Sequence, residues 1–206
     1  MTNIEDLKKA VEMTCERMNE CLLNFKNFKT EKDVKDFLNN GMELAFDTIV
    51  ASGKNASEPH YAGNEELHNG FCVIDFGARY NRMCADVTRT VYIGEPSEEE
   101  VRLYNYLLKE HYRMLKMVKV NVKMRYVEKC FRRRLGDKRK LFIHALCHGL
   151  GKEVHEEMNR KLKKGDVITV EPGLYQKDEF GIRIEDDVVV GSEVLSNGVT
   201  RKLLSF

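Results

Sequence analysis

Residues 73–90 read VIDFGARYNRMCADVTRT. An apolar run ends on Asp75, a polar turn region follows, and a second aspartate, Asp86, lies eleven positions on. On one continuous strand an odd separation would put the two carboxylates on opposite faces, because side chains alternate with period two. A hairpin brings them together. With a two-residue turn at Tyr80-Asn81, position 75 pairs directly with position 86, and the two Cβ atoms stand about 4.5–5.5 Å apart on one face. Tyr-Asn lacks the Asn-Gly signature of tight hairpins, so a bulge or longer loop would shift that register. Two carboxylates so close on a half-buried sheet repel, so that one holds a proton or both face a cation. One of them facing water is the plainer alternative.

Carboxylates recur at similar places downstream. TVEPGLY (Thr169–Tyr175) sets Glu171 inside an apolar strand, and GIRIEDD (Gly181–Asp187) does the same for Glu185, two residues after Arg183. An ionised, unpaired carboxylate inside a β-run costs several kcal/mol, so each calls for a partner. Joined by a loop around Lys177–Phe180, these segments form an antiparallel pair that brings the glutamates together. CHGLGKEVHEE adds His148 and His155, with glycines that permit close backbone approach. Oxygen-rich donors with one imidazole suit Mn²⁺, Co²⁺, Fe²⁺ or Zn²⁺ rather than a sulfur-rich structural zinc site. Around a single divalent ion the carboxylates would leave excess negative charge. Two ions fit the charge count better, and paired ions about 3.5–4 Å apart are a known hydrolytic arrangement.

The rest of the 206-residue chain frames these segments as one domain, 1–206, large enough for a real core. Helical periodicity covers residues 4–27 (Leu7, Ala10, Val11, Cys15, Met18, Leu22), and FKTEKDVKDFLNNGMELAF reads as a second helix. Thr30 is its expected N-cap, with Asp33 favouring the first turn. TIVASG is a short strand ending in a polar loop toward Pro59-His60-Tyr61; FCVIDFG and CADVTRTVYIG are strands. Pro96-Ser97 announces a helix through VRLYNYLLKEHYRMLKMV, another follows near Arg125–Leu135, and LFIHALCHGLG, VITVEPGLY and GIRIEDDVVVG read as β. The order implies an α+β fold of two similar halves, without a detectable sequence repeat.

Composition excludes more than it selects. A formal net charge of +1 gives no reason to expect nucleic acid or an anionic membrane as main partner, and the basic run Arg132–Lys140 is local. The N-terminus is charged and helical rather than signal-like, and no apolar run approaches the roughly 20 residues of a membrane span. The six cysteines are scattered without a C-x-x-C pair and read as reduced thiols of a cytoplasmic protein.

The segments FDTIVASGKNASEPHY, IDFGARYNRMCADVTRTVYIG, FIHALCHGLGKEVHE, VITVEPGLY and GIRIEDDVVV together resemble the pita-bread (M24-type) metallopeptidases. That family comprises methionine aminopeptidases, Xaa-Pro aminopeptidases and Xaa-Pro dipeptidases (prolidases). The resemblance implies a pita-bread fold, two pseudo-symmetric halves with antiparallel sheet backed by helices. It implies two divalent ions, manganese foremost and otherwise cobalt, iron or zinc, held by Asp75, Asp86, His148, Glu171 and Glu185. Asp75 corresponds to a bidentate ligand of one ion, Asp86 and Glu185 to bridging carboxylates, and His148 with Glu171 to ligands of the other. His60, His144 and His155 correspond to substrate-contacting histidines, His155 and His60 with catalytic roles. Glu171 would double as proton acceptor, and Arg183 is the arginine beside the bridging glutamate.

The implied reaction is hydrolysis of the N-terminal peptide bond of short peptides by a metal-bridging hydroxide. The fourteen-residue spacing of the two glutamates and the PHY segment lean toward the Xaa-Pro branch. Removal of N-terminal Met is the alternative, and a non-catalytic binding module on the same fold is the other; the complete ligand set argues for an enzyme. Residues 1–206 are expected to form a single catalytic domain without the N-terminal domain usual in the Xaa-Pro branch, either as a stand-alone member or as a fragment, with a homodimer among the expected partners. Cys147 stands where the family has glycine, no proline follows Val154-His155-Glu156, and the loop to Leu162 is short. These departures bear on proline specificity and leave the ligand set intact.

Overall fold

The computed structural model describes residues 3–206. Helix α1 (Ile4–Asn24) buries Leu7, Ala10, Val11, Cys15, Met18 and Leu22, the residues whose spacing marks its apolar face. Helix α2 (Glu31–Asn39) starts at a complete capping box: the Thr30 hydroxyl accepts from the Asp33 amide, and the Asp33 carboxylate accepts from the Thr30 amide. It is shorter than expected. The segment through Phe46 leaves the helix after Asn39, where Gly41 takes a φ of +74° that ends α-geometry.

Against α1 and α2 lies a three-stranded antiparallel sheet, β1 (Ile49–Ser52), β2 (Gly70–Phe76) and β5 (Val87–Ile93), in the order β1-β2-β5. Between β2 and β5 runs a small ladder, β3 (Arg79–Tyr80) with β4 (Met83–Cys84). The hairpin turn is Asn81-Arg82, both at positive φ (45° and 71°), as a primed turn demands. The expected turn at Tyr80-Asn81 is therefore one residue early.

A second helix pair, α3 (Glu98–Met117) and α4 (Met124–Arg134), backs the remaining strands. Ser97 and Glu100 form the capping box that opens α3. The two long β-segments each break in the middle. VITVEPGLY divides into β6 (Val167–Val170) and β7 (Gly173–Gln176); GIRIEDDVVV divides into β8 (Phe180–Arg183) and β9 (Asp186–Val189). β6 pairs with β9 and β7 with β8, both antiparallel. LFIHALCHGLG forms no regular strand; it runs beside β6 and accepts or donates at Leu146, His148 and Leu150. Two large apolar cores and a small cluster of Ala51, Ala56 and Val73 result among the described residues. One packs α1 and α2 on β1, β2 and β5, and the other packs α3 and α4 on β6–β9. Leu150, Val167 and Val189 join the first core and Phe71 and Tyr92 the second, so the halves interlock.

No helix among the described residues is long and apolar enough to cross a membrane. All six cysteines are free. In the basic run, Arg132 pairs with Glu128 and donates to the carbonyls of Phe142 and His144, while Arg134 pairs with Glu110.

Candidate active site

The strand breaks build the site. β6–β9 and β7–β8 keep one register across their interruption, so Glu171 stands opposite Glu185, as Val170 stands opposite Asp186 and Gly173 opposite Arg183. Pro172, which lacks an amide donor, sits in the break beside Glu171. In the first hairpin Asp75 pairs with Thr88, not with Asp86. Counting on from Phe76–Val87, Asp86 falls opposite Gly77, a diagonal neighbour of Asp75 on the same face. The two-residue displacement preserves the shared face because the side-chain period is two. Gly77 is required at the crossing: a Cβ there would lie 1.9 Å from the Ala85 carbonyl oxygen.

All the expected ligands line one cavity of about 720 Å³: Asp75, Asp86, His148, Glu171 and Glu185. Atoms of Asp86, His148 and Glu185 lie within 4.8 Å of one another. His148 Nε2 stands 3.6 Å from Asp86, 3.4 Å from Glu171 and 3.8 Å from Glu185. Its Nδ1 faces the Gly149 carbonyl at 3.2 Å. That hydrogen bond assigns the proton to Nδ1 and leaves an Nε2 lone pair aimed at carboxylate oxygens.

The electrostatics are those of an anionic pocket. Burial pushes Asp86 and Glu185 well above the usual carboxylate range, reinforced for Asp86 by Glu185 and for Glu185 by Glu171. Burial raises Glu171 to about 8 and lowers His148 to about 4. The Asp75 Oδ1 and Glu185 Oε1 oxygens are buried without a hydrogen-bond partner. Converging acceptors, a lone pair and orphaned oxygens fit divalent cations. Asp75, Asp86, His148, Glu171 and Glu185 are the residues able to hold them.

A second group steadies these acids. Arg183, 3% exposed, donates to Asp75 Oδ2 (2.7 Å), to the Tyr175 hydroxyl (2.8 Å) and to the Thr88 hydroxyl (3.0 Å). The Thr88 hydroxyl in turn donates to Glu185 Oε2 at 2.7 Å. Tyr175 meets His144 Nε2 at 3.0 Å, and His144 Nδ1 faces the Ala145 carbonyl at 2.7 Å. Both His144 nitrogens are thereby engaged, and burial with the nearby Arg183 charge lowers this imidazole to about 3. Gly173 makes room for the contact, since a Cβ there would lie 2.8 Å from both His144 Nε2 and the Tyr175 oxygen. His60 and His155 also line the cavity; the His155 ring lies 4.3 Å from that of His148, centroid to centroid.

Tyr175, Thr88 and Asp187 were not singled out from the sequence. Asp187 is fully buried and accepts the Asp86 amide at 3.1 Å, holding the backbone at Asp86. The available signal was parity: Thr88 lies on the face of Asp75 and Asp86. Beneath them, Asp186 accepts from Arg89, His111, Ser196 and Arg201, all in or near the core, while Arg89 also donates to the Glu185 carbonyl at 2.7 Å.

A model of metallopeptidase family M24 matches residues 5–192. An uncharacterized peptidase of Methanocaldococcus jannaschii is 35% identical over 94% of this chain and 61% of its own length. Among solved structures, the X-Pro aminopeptidase of Thermotoga maritima is similar with a TM-score of 0.92 and 36% identity, covering 100% of this chain and 65% of that one. A prolidase of Thermococcus sibiricus is similar with a TM-score of 0.91 and 32% identity, covering 98% of this chain and 60% of that one. The chain thus spans about three-fifths of the length of such relatives. The expected α+β, pita-bread architecture is the fold of this chain.

Proposed function

The chain belongs to metallopeptidase family M24, and from that membership we propose that it hydrolyses the N-terminal peptide bond of short peptides, Xaa-Pro peptides foremost, with two divalent ions. The observation that carries this reading is the convergence of Asp75, Asp86, His148, Glu171 and Glu185 on one cavity, with two of their oxygens buried and unpartnered. The Xaa-Pro preference rests on the likeness to an X-Pro aminopeptidase and a prolidase.

When bound, the ions supply positive charge that acidifies water and draws electron density from a carbonyl. The chain's residues do the rest. Glu171 is placed, in its ionised form, to take a proton from water and return it to the departing amine; in the metal-free pocket burial raises its carboxyl to about 8, so there it holds its own proton near neutral pH. His148, neutral by burial, offers its Nε2 lone pair to a cation. Arg183 fixes Asp75 and, through Thr88, Glu185, so neither carboxylate turns away when the cavity fills. His60 and His155 border the cavity with exposed rings, suited to donating to a substrate carbonyl. His144, held at both nitrogens, shapes the wall and orients Tyr175 rather than moving protons.

The test is a cleavage assay read by mass spectrometry with Mn²⁺, Co²⁺ or Zn²⁺ added separately, on a mixture of Ala-Pro, a longer Ala-Pro-led peptide and a Met-Ala-led peptide. Release of the residue preceding proline is expected. Release of Met alone would assign the methionine aminopeptidase reaction instead. Folded protein that cleaves nothing with any metal would refute the peptidase reading and favour a binding module.

A further inference from the structure

Beside the acid-lined cavity lies a second depression of about 640 Å³. The two share Pro59 and His60 as a common wall. Leu141, Ile143 and Tyr175 give the depression an apolar lining, and Ile143 is 59% exposed, unusual for a large aliphatic side chain. Lys140 and Lys177, both exposed, reach it from opposite sides, the former from the turn after α4 and the latter from the end of β7; Glu58 is its acidic residue. The lysines that form ion pairs among the described residues are Lys8, Lys9 and Lys32, which leaves Lys140 and Lys177 without a carboxylate. Arg133, Lys138 and Arg139 lie exposed on the same basic run, with Asp137 among them, while the exposed acids Asp178 and Glu179 follow Lys177.

We propose that this depression holds the portion of a peptide beyond its second residue, selecting an apolar side chain followed by acidic ones. The inference rests on the peptidase reading and deepens it. The peptidase reading gives the direction. If the N-terminal bond is the one cut, the α-amine end lies in the cavity lined by Asp75, Asp86, Glu171 and Glu185, and the rest of the peptide leaves it past His60 toward Lys140 and Lys177. An extended chain advances about 3.3 Å per residue, so each residue past the second carries a peptide further along the shared Pro59–His60 wall toward the second depression. Peptides of at least three residues are then better substrates than dipeptides, which is the behaviour of an aminopeptidase.

The test compares Ala-Pro-Leu-Asp-Glu with Ala-Pro-Leu-Lys-Lys at low ionic strength, with Ala-Pro alongside, in wild type and in the double variant Lys140→Glu/Lys177→Glu. Wild type is expected to favour the acidic peptide at least tenfold in kcat/KM, mainly through KM, with the ratio shrinking as salt is added. The double variant, both changes lying at exposed positions, is expected to lose or reverse that ratio. Equal use of the two long peptides by wild type, or an unchanged ratio in the double variant, overturns the proposal. If wild type cleaves none of the three, the hydrolytic reading has failed instead. The groove is then judged by fluorescence anisotropy of the two long peptides, each carrying a dye on a Gly-Gly-Cys extension at the C-terminus so that the α-amine stays free: tighter binding of the acidic one, lost in the double variant, supports it, and equal binding overturns it.

Discussion

If the proposed two-ion site is right, protons and divalent ions compete for the same buried oxygens, which ties the stability of the chain to pH in a metal-dependent way. Glu171 is raised from 4.5 to about 8 by burial, and Asp86 and Glu185 move in the same direction. A raised carboxylic acid contributes stability that is full below its unfolded value and is lost as pH rises through its folded one. His148 and His144 are lowered from 6.5 to about 4 and about 3. Their contribution is present above 6.5 and is lost only as pH falls, so they add little slope on the alkaline side. Between pH 6.5 and 8 Glu171 therefore holds in the fold a proton it lacks when unfolded, a slope of about 1.4 kcal/mol per pH unit. Over that interval the metal-free protein loses about 2 kcal/mol from Glu171 alone, with Asp86 and Glu185 adding in the same sense. For a chain of 206 residues this lowers Tm by about 4–8 °C. A divalent ion at a hundred times its Kd adds back about 2.7 kcal/mol. Its increment in Tm is larger at pH 8 than at pH 6.5, where protons still occupy the carboxylates. Thermal unfolding by circular dichroism in EDTA and in Mn²⁺ at both pH values measures all four quantities. A metal-free Tm that stays level or rises from pH 6.5 to 8, or equal metal increments at the two, would refute the reasoning.

Other perturbations separate positioning from chemistry. Both Glu31 oxygens only accept, from Ser52 and Asn55 on one side and the Glu65 amide on the other; Glu31→Gln turns one acceptor into a donor and should cost about 1–3 kcal/mol, so an unchanged Tm would deny that network its role in holding the loop that carries His60. Arg183→Lys keeps the charge but cannot span Asp75, Tyr175 and Thr88, and metal affinity by calorimetry should fall about 10–100-fold; wild-type affinity would show that Asp75 is steady without its fork. Arg82 sits at φ 71° in the hairpin turn, so Arg82→Gly should stabilise by about 0.5 kcal/mol, and a lower Tm would contradict the turn geometry.

Much of this site was legible because charged residues interrupt apolar runs. Glu171 and Glu185 stood out in β-segments, and their opposition survives in the structure because both halves of the broken hairpin share one register. Asp75 and Asp86 share a face for the reason parity gives, although their direct pairing was wrong by two residues: the turn falls on Asn81-Arg82, where asparagine tolerates positive φ and arginine is forced to. The breaks themselves were not legible. Local pattern reads VITVEPGLY as one strand, whereas β6 ends at Val170 and β7 starts at Gly173, with Glu171 in the gap lining a cavity that only tertiary structure creates. LFIHALCHGLG failed as a strand for a related reason. Its carbonyls serve β6 and Arg132 on separate courses, which no periodicity encodes. The supporting group of Tyr175, Thr88 and Asp187 was hidden because each reads as an ordinary strand residue until its neighbours are known.

The most direct test of the central claim is the number of divalent ions the chain binds, by calorimetric titration of metal-free protein with Mn²⁺ and elemental analysis of the dialysed product. Two ions per chain are predicted for the wild type, with Glu185→Ala losing at least one. A single ion, none, or a Glu185→Ala variant that still binds two would contradict the assignment of Asp75, Asp86, His148, Glu171 and Glu185 as one two-metal site.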